Sequence, residues 1–134
     1  MTAAMIEGRC HCGSSSRRIE GRPERTTLCN CSFCWRAGAL WAYGHEGETI
    51  SVHGETGAYA WGDKTLDFHF CAGCGGVGFW RSRSLDAEGR RRMAVNLRWA
   101  DPEEVADIPI HRFDGRDSFE SRGADGRCIA DIGF

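Results

Sequence analysis

Lysine is nearly absent from this sequence: of 17 basic residues only Lys64 is one, a bias with no evident physical cause. Long apolar runs are missing as well. No segment approaches the ~18 residues of a transmembrane helix, and Met1 to Arg9 has neither a basic leader nor an apolar stretch of signal-peptide length. The sequence has no phosphate-cradling glycine loop and no Ser-His-Asp grammar, which sets aside the common nucleotide-binding and serine-hydrolase classes. A zinc deaminase needs His-x-Glu followed by Pro-Cys-x-x-Cys, and no proline precedes Cys71. Net charge is −2, so the basic footprint of a nucleic-acid binder is lacking and no nucleic-acid or membrane partner is expected. With 41% hydrophobic and 27% charged residues the chain is ordinary globular material, and residues 1–134 are expected to form one domain.

Cysteine is what the sequence has in excess. Seven of eight fall in three clusters: Cys10-His11-Cys12-Gly13, Cys29-Asn30-Cys31-Ser32-Phe33-Cys34 and Cys71-Ala72-Gly73-Cys74-Gly75. Without an export signal the expected compartment is the reducing cytoplasm, where clustered thiols are metal ligands rather than disulfides. A Cys-x-Cys pair would in any case close a strained disulfide ring. Seven thiolates divide into four and three. Four close a tetrahedral zinc site, whereas three leave one position open. With seven thiolates and two Zn²⁺ the net charge would become about −5.

The segments between the clusters read as short strands. Arg17 to Glu20, Thr26 to Leu28, Leu40 to Tyr43, Thr49 to His53, Ala58 to Trp61, Leu66 to Phe70, Val77 to Arg81 and Arg92 to Leu97 carry β-type patterning between glycine-rich turns. Leu66–Phe70 and Val77–Arg81 flank the third cysteine cluster as a hairpin with metal at its tip. Asp101-Pro102-Glu103-Glu104 is the start of a short helix, with Asp101 as cap and proline in the first turn. Ile110 to Phe113 is expected to be the last strand, after which the chain is charged and glycine-rich, with Cys128 isolated. The fold class is mainly β: about eight short strands in small antiparallel sheets, with little helix. A Cys-x-x-Cys between two strands also argues against a thioredoxin-like βαβ unit.

Gly-x-Cys-x-Cys-Gly, then Cys-x-Cys-Ser-x-Cys, then Cys-x-x-Cys-Gly resembles the GFA/CENP-V family, named after glutathione-dependent formaldehyde-activating enzyme and centromere protein V. The match runs from Gly8 to Gly75 and includes Gly38-Ala39. The resemblance implies a Mss4-like β-tent with two zinc ions per chain. Cys10, Cys12, Cys71 and Cys74 would form a closed structural site. Cys29, Cys31 and Cys34 would form an open site assigned to chemistry. The sequence departs from the family at Asn30, where histidine is frequent, and at Trp35, where a basic residue is frequent. Both border the open site and so bear on substrate preference.

Chemistry agrees with that partition. Two bidentate hooks far apart in sequence suit a clasp between hairpins. Three thiolates leave Zn²⁺ with a formal charge of −1, which weakens its hold on hydroxide and suits it to a thiol. The resemblance therefore implies carbon–sulfur lyase chemistry of the S-(hydroxymethyl)glutathione synthase type, with glutathione or a similar small thiol as partner. The alternative is a non-catalytic zinc module that carries a thiol or binds a protein. The alternative for the trio is a second structural site closed by Cys128 or by a histidine such as His69. Arg36 is a candidate for holding substrate carboxylates. Trp35, Trp41, Tyr43, Trp61, Phe79 and Trp80 are either core or the lining of a groove. Arg90-Arg91-Arg92 is a solvated turn or an anion contact.

Overall fold

A computed structural model describes residues 5–133. The chain is mainly β, and all but one of its strand pairings are antiparallel. A three-stranded sheet joins β1 (Met5–Arg9), β2 (Ser16–Glu20) and β5 (Ile50–His53) in the order β1-β2-β5. The remaining strands are β3 (Thr26–Cys29), β4 (Trp41–His45), β6 (Thr56–Tyr59), β7 (Leu66–Cys71), β8 (Val77–Ser82), β9 (Arg92–Asn96), β10 (Pro109–Phe113) and β11 (Ser121–Cys128). They form a second sheet in the order β11-β10-β3-β4-β9-β8-β7-β6. Three short helices complete the described residues: α1 (Ser32–Ala37), α2 (Pro102–Val105) and α3 (Ile129–Gly133). None of them is long and apolar enough to cross a membrane.

Strand alternation divides the core in two, because successive side chains point to opposite faces. Ala42, Phe79, Met93 and Val95 pack on one face of the large sheet against Ile6, Ile19 and Ile50 of the small one. Their neighbours Trp41, Trp80 and Ala94 point the other way and pack with Phe68, Cys31 and Cys34. The central strands are therefore buried on both faces, and the second cysteine cluster lies on the face away from the small sheet. Arg17 is a charged member of the first core. It is 1% exposed, its Nη2 donates to the Asn96 carbonyl, and burial pulls its pKa down to about 10. Gly8 faces it across β1, and a Cβ there would meet the guanidinium at 2.5 Å.

Several details differ from the pattern of the sequence, among them β4, which runs Trp41–His45 rather than Leu40–Tyr43. β6 begins and ends two residues earlier than Ala58–Trp61, because its register with β7 runs from Thr56↔Cys71 to Tyr59↔Phe68. Trp61 then falls in the following turn. A short helix, α1, lies inside the second cysteine cluster. Ile110–Phe113 lies within β10, which is not the last strand. It pairs in parallel with β3, and β11 closes the sheet edge beyond it with irregular register. β11 escapes pattern reading because neither of its faces is buried and it contains Gly123 and Gly126 at positive φ. The cap of α2 follows its sequence signature, with Asp101 Oδ1 accepting from the Glu103 N–H at 3.0 Å.

Candidate metal centres

The first cluster brings together Cys10, Cys12, Cys71 and Cys74, whose sulfurs all lie within 4.8 Å of one another. Cys10 and Cys12 sit in the turn after β1; Cys71 ends β7 and Cys74 follows in the β7–β8 turn. Gly13 and Gly75 both adopt positive φ, 81° and 79°, which lets each turn curl back on its cysteines. The Gly13 N–H donates to the Cys10 carbonyl and the Gly75 N–H to the Cys71 carbonyl. The Cys10–Cys12 and Cys12–Cys71 sulfur separations are both 3.6 Å. Zn–S bonds of ~2.3 Å in a tetrahedron require sulfurs ~3.8 Å apart, so the set fits zinc. Backbone N–H groups support the sulfurs: Ser15 donates to Cys10 at 3.3 Å, and Gly73 and Cys74 to Cys71 at 3.3 and 3.5 Å. The Ser14 hydroxyl lies 3.2 Å from the Cys71 sulfur, and with Ser15 it pulls that thiol down to about 5, toward the thiolate a metal needs.

The second cluster is Cys29, Cys31 and Cys34, again with all sulfurs within 4.8 Å. Its local geometry comes from α1. Cys31 is the helix N-cap, its sulfur accepting from the Cys34 N–H at 3.3 Å. Gly38 ends the helix at φ 63°, its N–H donating to the Cys34 carbonyl. The turn folds Cys34 back toward Cys29 at the end of β3. The Cys31 N–H approaches the Cys29 sulfur at 3.5 Å, and the buried indole Nε1 of Trp41 donates to the Cys34 sulfur at 3.3 Å. The Cys29–Cys34 hydrogen bond pulls Cys29 down to about 6, while the same contact and burial push Cys34 up. Three such crowded sulfurs ionise together only beside a cation, so this set also suits a metal.

No fourth Cys, His, Asp or Glu among the described residues joins the trio. His69 is engaged elsewhere: its ring stacks on Phe79 at 4.6 Å and its Nδ1 lies 2.9 Å from the Thr56 hydroxyl. Cys128 lies in the β11–α3 segment, its sulfur 3.4 Å from Asp131. What lies over the trio instead is a cavity of about 290 Å³. Trp41, Phe68 and Trp80 contribute to it from the core, Tyr43 and Trp61 from more exposed positions, Phe113 from the end of β10, and Gly115 and Phe119 from the segment after it. Of the aromatic residues weighed from sequence, Trp41, Tyr43, Trp61 and Trp80 line it, Phe79 is core, and Trp35 is 77% exposed away from it.

The wall after β10 was invisible in the cysteine pattern. Parallel pairing aligns Phe113 with Cys29, and the Asn30 N–H donates to the Phe113 carbonyl. Asn30 then ties the next loop down: its Nδ2 donates to Asp114 Oδ1 at 3.0 Å and its Oδ1 accepts from the Arg116 N–H at 2.9 Å. Asp114, only 2% exposed, also accepts from Arg122, the Ser118 hydroxyl and the backbone N–H groups of Asp117 and Ser118. Arg122, and after it Asn30 and Ser118, hold its carboxyl well below the usual range. Gly115 sits so close to the trio that a Cβ would meet the Cys29 sulfur at 2.6 Å.

The candidate cationic contacts lie elsewhere. Arg36 donates to the Ser32 carbonyl of its own helix and does not line the cavity. Arg90 pairs with Glu48 at 2.8 Å and Arg91 with Glu46 at 3.3 Å, while Arg92 stacks over Tyr43.

Residues 5–110 match the model of the glutathione-dependent formaldehyde-activating enzyme family. The chain belongs to that family. All seven clustered cysteines fall inside the match, and the wall residues Phe113 to Phe119 lie beyond it. A crystal structure of a Rhodobacter sphaeroides protein is similar, with a TM-score of 0.61 and 25% identity, covering 78% of this chain and 99% of that one. No curated protein matches the chain.

Proposed function

We propose that this member of the glutathione-dependent formaldehyde-activating family holds two zinc ions, one clasped by Cys10, Cys12, Cys71 and Cys74 and one at Cys29, Cys31 and Cys34. At the second it acts as a carbon–sulfur lyase of the S-(hydroxymethyl)glutathione synthase type. The observation that carries this reading is a three-sulfur cluster under a cavity, with no fourth side-chain ligand among the described residues. Zinc there would supply a Lewis acid that keeps an incoming thiol ionised and nucleophilic. The trio leaves room for that thiol, the Trp41 indole N–H and neighbouring backbone N–H groups orient the cysteines, and the aromatic walls keep water from the reacting atoms. The thiol sulfur forms a bond to the aldehyde carbon, the carbonyl π pair moves onto oxygen, and the thiol proton ends on that oxygen. The product is a hydroxymethyl thioether; cleavage of its carbon–sulfur bond is the lyase direction. Formaldehyde or a related small aldehyde is the second substrate.

The test is cobalt substitution. Addition of a thiol with formaldehyde should alter the cobalt absorption and raise the rate of adduct formation above the protein-free rate. A cobalt spectrum indifferent to every thiol would end this reading. An altered spectrum without turnover would convert the protein into a thiol carrier.

A further inference from the structure

The cavity over the trio is unlike a site for a doubly carboxylated peptide. Its walls are formed chiefly by Tyr43, Trp61, Trp80, Phe119 and the core aromatics beneath them, and no arginine, lysine or histidine lines it. Asp63 is the single acidic residue among the lining side chains; its Oδ1 is 3.2 Å from the Thr65 hydroxyl, and no ion pair joins it to a basic residue among the described residues. Arg36 is committed to the Ser32 carbonyl, Arg92 to the Tyr43 and Trp80 rings and Arg122 to Asp114, while Lys64 and Arg116, each next to a lining residue, are themselves outside the lining. A carboxylate carried into this space would lose water without meeting a cation in the lining, and would face both Asp63 and the net negative charge of a three-thiolate zinc.

We propose that this site selects a thiol lacking carboxylates, with an aromatic or aliphatic body, over glutathione; the inference rests on reading the trio as an open thiol site. The thiol sulfur takes the position above Cys29, Cys31 and Cys34. The body lies against Trp61 and Phe119, the two most exposed of the large aromatics around the cavity apart from Tyr43. Burying a phenyl-sized group there corresponds to a preference of about tenfold to a hundredfold. Asp63 sets the sign of the discrimination, so a cationic tail is tolerated where an anionic one is excluded.

The experiment compares phenylmethanethiol with glutathione on the metal-loaded full chain, using two readouts. One is quenching of the tryptophans, three of which line the cavity (Trp41, Trp61 and Trp80). The other is the absorption of the cobalt form. Phenylmethanethiol should bind at least about tenfold more tightly. Phe119→Ala and Trp61→Ala should each reduce that margin, and Asp63→Asn should narrow it by improving glutathione. Phe119 is 73% and Trp61 38% exposed, so neither substitution opens the core. Glutathione binding as tightly as phenylmethanethiol, with both altering the cobalt spectrum, would overturn the substrate class while leaving thiol chemistry in place. A preference for phenylmethanethiol unchanged in both aromatic variants would place the apolar contact elsewhere and overturn it too. A cobalt spectrum unaffected by either thiol would remove the open-site reading itself, and this proposal with it.

Discussion

The two cysteine clusters use the same ligand atom in opposite ways. Cys12 and Cys71 are 59 residues apart, and a metal between them closes a long loop and pins the turn after β1 to the β7–β8 hairpin. Cys29, Cys31 and Cys34 lie within one turn of chain, so a metal there closes almost nothing. Loop-closure entropy makes the first a determinant of the whole fold and the second a local ornament of it. The surroundings differ in the same sense. Serine hydroxyls, glycines and backbone N–H groups surround the four-sulfur set, with Cys12 and Cys74 facing solvent. The trio has indole and phenyl rings and a cavity. A metal in each set would concentrate stability where the sequence separation is long and leave an open position where only three sulfurs are supplied.

The sharpest way to break this contrast is Cys71→Ser. Structural zinc contributes ~10–16 kcal/mol in small peptides, comparable with the ~5–15 kcal/mol net stability of a domain. The expected outcome is loss of the cooperative thermal transition followed by circular dichroism. Cys31→Ser should do far less to the fold. Serine is itself a good N-cap, so α1 keeps its first turn while the trio loses a thiolate. Elemental analysis should show zinc falling from two to one per chain in a protein that still melts cooperatively. An unfolded Cys31→Ser would collapse the distinction.

A single methyl group offers a finer comparison. At Gly115 a Cβ would stand 2.6 Å from the Cys29 sulfur, whereas at Gly73 it would stand 3.2 Å from the Cys12 sulfur. Gly115→Ala should weaken metal retention at the trio by about tenfold to a hundredfold, the range for disturbed supporting contacts. Gly73→Ala should weaken the clasp less. Competition against a chelator reads both. The smallest expected effect is Asp114→Asn, which should lower the thermal midpoint at neutral pH by weakening the bond to Arg122. The Asp114 carboxyl is held below its unfolded value, so its contribution is present above about pH 4 and declines as the pH falls further. The midpoint difference between wild type and Asp114→Asn should shrink in acid. A difference constant across that range would remove Asp114 as an ionised hub.

The sulfurs were the most legible part of this molecule. The family resemblance carried by their spacing and flanking glycines implies one set of four cysteines and one of three, and the geometry brings together those same sets. Asp101-Pro102 announced α2 because its cap chemistry is written in adjacent residues. α1 went unread because its N-cap is a cysteine sulfur, a role that competes with metal ligation in any reading of Cys-x-x-Cys. β11 and the parallel pairing of β10 carried no local signal, since an edge strand with two exposed faces has no alternation and parallel partners need not be near in sequence. The cavity wall was hidden for the same reason: Phe113 and Phe119 meet the trio only after β10 has docked beside β3. The burial of Arg17 has no local signal either, since the room for its guanidinium is left by Gly8 on the neighbouring strand.

The loop from Asp114 to Arg122 is largely self-contained. Asp114 gathers donors from Asp117 and Ser118 within its own loop and from Arg122 at the start of β11, and reaches the cysteine trio through the Asn30 amide. That makes the loop a removable faceplate. Phe119 on it lines the cavity and Gly115 presses on Cys29, so exchanging Phe119 would alter the cavity without displacing a cysteine. Such an exchange would change which molecules the cavity admits while leaving both cysteine sets in place.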